Sequence, residues 1–288
     1  MSSVPVERAA VPRLRRSPLA RLLRSREAVL GLSIIGLVVL ISLLAPLLAP
    51  QDPNAGHPEN VLAAVGSPGH LLGTDEQGRD VLSRLIYGGR AALFVAVVSV
   101  ALALAIGTVL GLAGAFAGRR TSGLLMRTID LLFAFPVILV ALSLAAILQP
   151  GTWVLIGTVV FGAVPYVTRV VYSEAKVERE KEYVEAARSL GASEPAILAT
   201  EVLPNLVSSV IIYGTSLIGV NIVFTASLSA LGLGVQPPDA DWGRMISEGA
   251  KVLVTGNAGV ATFPAAAILL VALAFNWLGD GLRDVLNP

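Results

Sequence analysis

The 288-residue sequence contains no cysteine, only two histidines and few charged side chains. The lack of cysteine excludes disulfides, thiolate metal sites and cysteine nucleophiles, although it does not reveal the compartment. His57 and His70 lie apart and have no cluster of candidate ligands beside them, so they are interpreted as surface histidines rather than a metal site. Charged residues make up 14% of the chain and hydrophobic residues 55%. This balance disfavours a soluble globular domain and indicates an integral membrane protein.

The sequence also lacks the patterns that common enzyme sites need. It contains no Glu-x-x-His metal pattern and no Gly-x-x-x-x-Gly-Lys-Ser/Thr phosphate cradle, and the apolar stretches hold no Ser/His/Asp constellation. We therefore predict that the chain is not an enzyme, has no catalytic residues, binds no metal or cofactor and does not itself hydrolyse ATP.

Long charge-free stretches account for much of the chain. They predict an all-α, polytopic membrane protein with six transmembrane helices, over 28–49, 91–117, 131–148, 153–168, 206–233 and 258–278. A Gln-Pro-Gly-Thr turn at 149–152 divides the third predicted helix from the fourth. The apolar run that follows the basic segment 1–27 is too long for a secretory signal, so the first helix is predicted to be a retained anchor.

Lys and Arg are unevenly distributed among the segments that connect these stretches. If the N-terminus is inside, the outer segments carry only Arg79, Arg84, Arg90, Arg244 and Lys251. The positive-inside rule then predicts that both termini are cytoplasmic and that 50–90 is an extracytoplasmic loop. The remaining chain, 91–288, is the predicted core domain, with a cytoplasmic loop at 174–205. Because topology explains the N-terminal arginines, no nucleic-acid partner is predicted.

The most informative motif is a charged island inside 174–205. It reads Glu185-Ala186-Ala187-Arg188-Ser189-Leu190-Gly191 and is followed by Leu203-Pro204-Asn205. Good helix formers precede Gly191, a residue that suits the left-handed turn at a helix end, and Pro204 is expected to limit a second short helix. The pattern predicts a helix-turn-helix elbow at the membrane surface. An ordinary solvated loop helix is the alternative.

This spacing closely resembles the EAA loop of permease subunits in bacterial ABC importers. Other stretches extend the resemblance over nearly the whole chain: GTDEQGRDVLSR at 73–84, FAFP at 133–136, ASLSALGLGVQPP at 226–238 and FNWLGDGLRD at 275–284. The first is similar to the GTDxxGRDxxSR element of the dipeptide, oligopeptide and nickel permease family. Together they resemble its "C" type subunit, which implies the ABC type I importer permease fold.

The resemblance also implies a function and a set of partners. The chain would form half of a pathway for di- or oligopeptides in the bacterial plasma (inner) membrane, whereas nickel complexes, opines or another small solute remain alternative cargoes. The implied partners are a sister permease in a heterodimer, two ATPase subunits that use ATP and Mg, and an extracytoplasmic substrate-binding protein. Coupling to the ATPase would be carried by Glu185, Ala186, Ala187, Gly191, Leu203 and Pro204.

Four polar residues lie along the fifth predicted helix, namely Asn221, Thr225, Ser227 and Ser229. Buried polar groups in a membrane need partners or a water-filled cavity, so these residues either line the pathway or form hydrogen bonds between helices. The apolar stretches carry no obvious charges and no evident inverted repeat, which disfavours a secondary transporter.

Three local interactions are also predicted. Thr74 and Gln77 have the spacing of a capping box, which favours a structural role for the 73–84 motif over contact with a binding protein. Asp130 is placed to pair with Arg127. The glycines at 107, 111 and 118 are spaced for close packing of helices in lipid.

Overall fold

The computed structural model describes residues 21–286, which form an almost entirely helical bundle and confirm the predicted fold class. The helices are α1 Arg26–Leu43, α2 Ala45–Leu48, α3 Val81–Phe116, α4 Arg119–Phe133, α5 Val137–Leu148, α6 Thr152–Arg179, α7 Glu182–Ser189, α8 Glu194–Ile197, α9 Leu203–Ala230, α10 Trp242–Lys251 and α11 Gly259–Leu286. Short 3-10 segments lie at Pro58–Asn60 and Leu253–Thr255, and a π turn at Leu198–Val202 joins α8 to α9. Most of the predicted segment 1–27 lies outside the described residues.

Five helical segments in the described part of the chain are long and apolar enough to cross a bilayer. They are α1, α3, α6, α11 and the run Glu194–Ala230, which contains α8 and α9. Helices α4 and α5 meet at 81° and make a sixth span only when taken together. The break falls at Pro136, which has no amide N–H and disfavours helical backbone in the residue before it. The predicted helix over 131–148 therefore consists of the end of α4 and the whole of α5, joined at this bend.

Helix α3 begins at Val81, well before the charge-free stretch that starts at 91, because Asp80 caps it. The Asp80 carboxylate accepts a hydrogen bond from the Ser83 amide at 2.8 Å. The predicted capping box is wrong, since Thr74 does not cap a helix and its hydroxyl accepts from the Ala63 amide at 2.8 Å. The last part of the predicted loop 50–90 is thus helical. At the other side of the bundle α6 continues to Arg179, into the predicted loop 174–205.

The two ends of the bundle carry different structures. We call the end that carries α7 and α8 the elbow end, and the opposite end, which carries 50–80 and α10, the loop end. The Arg21 guanidinium donates to the Asp284 carbonyl, so α1 starts beside the end of α11. Leu286 lines the same surface recess as Lys181 and Pro204. Both ends of the described chain therefore lie at the elbow end.

Close packing of α3 against α6 depends on glycine. A Cβ at Gly107 would lie 2.6 Å from the Val167 side chain, and one at Gly111 would lie 2.8 Å from the Thr168 carbonyl oxygen. Larger residues would push the two helices apart, as expected where small residues mediate helix packing in lipid. Gly118 does not take part, because it precedes α4 and no atom lies within 4 Å of its Cβ position.

Candidate functional site: the elbow

The elbow, defined as residues 180–205, connects α6 to α9. Helix α7 ends in a left-handed turn in which Gly191 has φ +87°. The Gly191 amide donates to the Arg188 carbonyl at 3.0 Å, and the Ala192 amide donates to the Ala187 carbonyl at 3.1 Å. This is the type of C-terminal turn that favours glycine. The sequence prediction of a helix ended by Gly191 is confirmed.

One side of α7 is free in this chain. Glu185 and Ala186 are exposed, Ala187 is half-buried, and the Leu190 side chain at the end of the helix is 89% exposed. The structure therefore brings four of the predicted coupling residues, Glu185, Ala186, Ala187 and Gly191, onto one short helix and its turn. Together with Leu190 they give the elbow an exposed surface of mixed charge and apolar character.

The other side of the elbow is fixed to the bundle by apolar contacts. Val184, Ile197 and Val202 are fully buried in a cluster with side chains of α3 and α6, including Leu112 and Val171. Burial of a Val or Ile side chain contributes about 1.5–3 kcal/mol. Three such residues in so short a segment hold the elbow in one position, which sequence alone did not predict.

A polar brace adds to this attachment. Arg179, at the end of α6, donates to the Ala115 carbonyl of α3 at 2.9 Å, and its guanidinium lies 5.0 Å from the centre of the Phe116 ring. Glu194 of α8 accepts from Arg179 at 3.4 Å and from Arg188 of α7 at 2.8 Å. The bond with Glu194 raises the pKa of Arg188. The brace thus joins α3, α6, α7 and α8.

Tyr183 is the centre of a second set of polar contacts. Its hydroxyl donates to the Glu178 carboxylate and accepts from Asn205 Nδ2 at 2.9 Å. Glu178 also pairs with Lys181 at 2.7 Å. Partial burial and the bond to Glu178 raise the pKa of Tyr183 to about 12, so the hydroxyl stays protonated at neutral pH. Asn205 belongs to the Leu-Pro-Asn motif, whereas no sequence pattern indicated the role of Tyr183.

Leu203 and Pro204 lie away from the exposed surface of α7, at the first residues of α9. The prediction that Pro204 limits the second short helix is wrong. Helix α8 continues through the π turn Leu198–Val202 into α9, and this wider turn accommodates the proline within one continuous helical segment. Leu203 is half-buried and Pro204 is exposed.

The predicted pathway residues are satisfied mainly within α9. Asn221, Thr225 and Ser227 each donate to the carbonyl four residues earlier, at 2.8–2.9 Å. Ser229 instead donates to the Asp241 carboxylate, which caps α10, at 3.2 Å. Ser227 is the exposed member of the four, whereas the other three are buried in this chain. A role in lining the pathway stays a prediction.

At the loop end most of the 73–84 motif is buried, although Gln77 is exposed. His70 is only 3% exposed, and its Nδ1 lies 3.0 Å from the Asp80 carboxylate, so its interpretation as a surface histidine is wrong. The ring nitrogens also lie near the side-chain amides of Gln51 and Asn60, at 3.5 Å and 3.4 Å. Arg79 pairs with Asp75 at 2.6 Å and with Glu248 of α10 at 2.9 Å. The motif therefore fastens the loop to α10.

The predicted pairing of Asp130 with Arg127 is also wrong. Asp130 pairs with Arg169 of α6, whose guanidinium lies 5.5 Å from the centre of the Phe133 ring. Because α4 packs against α6, Asp130 pairs with Arg169 of the neighbouring helix rather than with Arg127 of its own helix. Among residues 21–286 no group of three or more His, Asp or Glu residues is arranged to hold a metal ion.

Comparison with known proteins places these features in a family. Residues 103–288 match the family described as binding-protein-dependent transport system inner membrane component, and residues 12–64 match the N-terminal transmembrane domain of oligopeptide transport permease C. The glutathione transport system permease protein GsiD of Pectobacterium atrosepticum is 39% identical over 93% of this chain and 89% of its own length. A putative peptide transport system permease protein of Brucella suis is 38% identical over 97% of this chain and 95% of its own length.

The fold is also found in a solved structure. An inward-facing structure of the MetNI methionine ABC transporter aligns with a TM-score of 0.59 and 19% identity, covering 70% of this chain and 96% of the matched chain. The chain thus has the helix arrangement of an ABC importer permease. With both family matches and the two relatives, this shows that the chain belongs to the binding-protein-dependent inner-membrane components, the multi-pass permease subunits of ABC transport systems.

Proposed function

We propose that this chain forms half of the translocation pathway of an ATP-driven importer of di- or oligopeptides and couples that pathway to a separate ATPase subunit. The matched relatives are named for glutathione and peptide transport, which supports a peptide cargo. The proposed assembly contains this chain, a different sister permease, two ATPase subunits and an extracytoplasmic binding protein. ATP and Mg bind to the ATPase subunits, and this chain catalyses no reaction.

The construction of the elbow is the observation that carries the proposal. Its exposed side presents Glu185, Ala186 and Leu190, while its buried side is fixed by Val184 and by the Arg179 brace. A short helix that is free on one side and fixed on the other can enter a cleft of the ATPase and transmit its movement. Closure of the two ATPase subunits on ATP then displaces the elbow and shifts the pathway between outward and inward access.

We further propose that the elbow end is cytoplasmic and the loop end extracytoplasmic. The charge distribution supports this orientation, and the ATPase needs access to cytoplasmic ATP. The binding protein would then deliver cargo at the loop end. Because the native chain has no cysteine, single cysteines report topology without background labelling.

Glu59 at the loop end and Asp284 at the elbow end are both exposed and suit such a test. An impermeant thiol reagent applied to intact cells should label Glu59→Cys but not Asp284→Cys, and disruption of the membrane should make Asp284→Cys reactive. Labelling of Asp284→Cys alone in intact cells would invert the proposed orientation.

Transport itself is tested with the complete assembly in proteoliposomes. We expect uptake of a labelled di- or tripeptide that requires the binding protein and ATP on the elbow side. A nickel complex and an opine serve as alternative cargoes under the same conditions. If the nickel complex or the opine is taken up and the peptide is not, the proposed coupling mechanism stands but the proposal of a peptide cargo is wrong. ATP-independent peptide uptake driven by an ion gradient would reject the importer mechanism.

A further inference from the structure

A recess at the elbow end, separate from the exposed side of α7, is lined by basic side chains. It lies between α4, α6 and the end of α3, and its volume of about 960 Å³ falls in the range of ligand pockets. The residues that line it include no carboxylate; its cations are Arg119, Arg120, Arg127, Lys176 and Arg179. So many positive charges around one recess favour an anionic ligand.

Most of this charge is not neutralised within the described part of the chain. Arg179, Lys181 and Arg188 at the same end of the bundle each pair with a carboxylate, as does Arg169 nearer the middle of α6. By contrast, the ion pairs of residues 21–286 include none made by Arg119, Arg120, Arg127 or Lys176. Unpaired cations that converge repel one another unless an anion binds between them.

The recess also contains hydrogen-bond donors suited to phosphate oxygens. Ser122 is only 7% exposed, its hydroxyl lies 3.2 Å from the Tyr172 hydroxyl, and both residues line the recess. Lys176 Nζ lies 5.1 Å from the centre of the Tyr172 ring, which places the ammonium beside these hydroxyls. Gly118 gives α4 no side-chain cap, so amides of its first turn remain available to an anion.

Apolar side chains extend from the same recess. Leu124, which lines it, is 70% exposed, and Leu131 farther along α4 is also exposed. Helix α4 has arginines on its exposed surface and buries Ser122 and Ile129 against the bundle. A basic amphipathic helix with exposed leucines is typical of a segment that lies at a membrane surface. A soluble anion would gain nothing from these leucines, whereas acyl chains would.

We propose that this recess binds the phosphate headgroup of an anionic phospholipid, with the acyl chains lying along the exposed leucines of α4. The site goes beyond the proposed transport function and does not depend on the identity of the cargo. Basic recesses between transmembrane helices are suited to such headgroups, and each Lys or Arg near the membrane surface strengthens anionic-lipid binding by roughly fivefold. Arg179 belongs to both the recess and the elbow brace, so the bound lipid lies directly beside the elbow.

The test is a lipid titration of the full-length chain in mild detergent, followed by native mass spectrometry. Phosphatidylglycerol, phosphatidylcholine with the same acyl chains, and inorganic phosphate are the three probes. The variant Arg119→Gln/Arg120→Gln should lose about thirtyfold in phosphatidylglycerol affinity, as expected for two surface cations. The matched control Arg24→Gln/Arg26→Gln removes two exposed arginines, one just before α1 and one at its first residue, at the same end of the bundle, and should keep nearly wild-type affinity.

Three results would overturn the proposal. These are equal binding of phosphatidylcholine and phosphatidylglycerol, equal loss in both double variants, and binding of inorganic phosphate as tight as that of the lipid. The last result would assign the recess to a soluble anion. If the α4 variant does not fold, as judged by its thermal unfolding without lipid, Lys176→Gln on α6 replaces it. That variant should lose phosphatidylglycerol affinity by about fivefold, and unchanged affinity would equally reject the site.

Discussion

The Arg79 guanidinium donates to the Glu248 carboxylate at 2.9 Å and thereby joins the loop before α3 to α10, although the two residues are far apart in sequence. Arg79 is buried and Glu248 is nearly so, and Arg244 also pairs with Glu248 at 3.1 Å. Removal of one partner from a buried pair leaves an uncompensated charge, which is more destabilising than the absence of the whole pair.

Glu248→Ala should therefore destabilise the chain by about 1–3 kcal/mol, because Arg244 loses its carboxylate and the buried Arg79 keeps Asp75 but loses Glu248. Thermal unfolding in detergent measures the change. The control Glu59→Ala, at an exposed carboxylate of the same end, should change stability by less than about 0.5 kcal/mol. Equal effects of the two variants would show that the Arg79–Glu248 pair has no structural importance.

Gly191→Val should impair coupling without preventing membrane insertion. A β-branched residue at φ +87° costs roughly 1–2 kcal/mol at the turn, while the apolar spans are unchanged. No atom lies within 4 Å of the Cβ position, so the effect comes from the backbone rather than from a clash. The variant should reach the membrane at near-normal levels but lose peptide uptake and substrate-stimulated ATP hydrolysis.

Gly191→Asn is the matched control, because asparagine tolerates the left-handed conformation better than other residues with a side chain. It should retain most of the transport activity. If the valine and asparagine variants both transport at the wild-type rate, the geometry of this turn has no part in coupling.

Glu185→Lys should weaken the retention of the ATPase subunit during purification. Glu185 is exposed in the first turn of α7, where its negative charge interacts favourably with the helix dipole. Its exposed carboxylate can also pair with a basic group on the ATPase. Glu27→Lys makes the same change in the exposed first turn of α1 and controls for the dipole effect. Equal retention in both variants would argue against a contact between Glu185 and the ATPase.

Tyr183 predicts a specific alkaline transition. Its pKa is raised from about 10 to about 12 in the folded state, mainly by burial and by the bond to Glu178. A raised folded-state pKa gives a stabilising contribution that is fully present below pH 10 and is lost as the pH rises through 12. Unfolding measured from pH 9 to 12 should show this loss in the native chain and not in Tyr183→Phe. If the native chain and Tyr183→Phe lose stability in the same way as the pH rises, the transition belongs to other groups.

Local features of the elbow could be predicted from the sequence because they depend on neighbouring residues. Helix-forming residues followed by Gly191 specify a short helix and a left-handed turn whatever the rest of the chain does. The apolar spans were similarly evident from hydropathy. Pro136 marks the break between α4 and α5, but a proline is also tolerated within membrane helices, so the residue type alone does not specify the 81° bend.

Interactions between distant parts of the chain could not be predicted. His70 is buried against the carboxylate of Asp80, ten residues away in the sequence, and Asp130 pairs with Arg169 because α4 packs on α6. Arg84 is a further case: charge count excluded it from a membrane helix, whereas in the fold it is buried in the first turn of α3 and donates to the Pro53 and Pro238 carbonyls. Composition indicates whether a segment prefers water or lipid. It does not identify the groups of the protein that replace solvent around a buried charge.

Helix α3 spans both regions that these experiments probe. With 36 residues and a rise of about 1.5 Å per residue it is about 54 Å long, well beyond the ~30 Å hydrocarbon core, and it contains no proline. Its first residues are anchored in the charge network at Asp80, and the Ala115 carbonyl near its last residue receives Arg179 from the elbow. A single continuous helix thus joins the two surfaces, so a change in its tilt at one end would also move the other end.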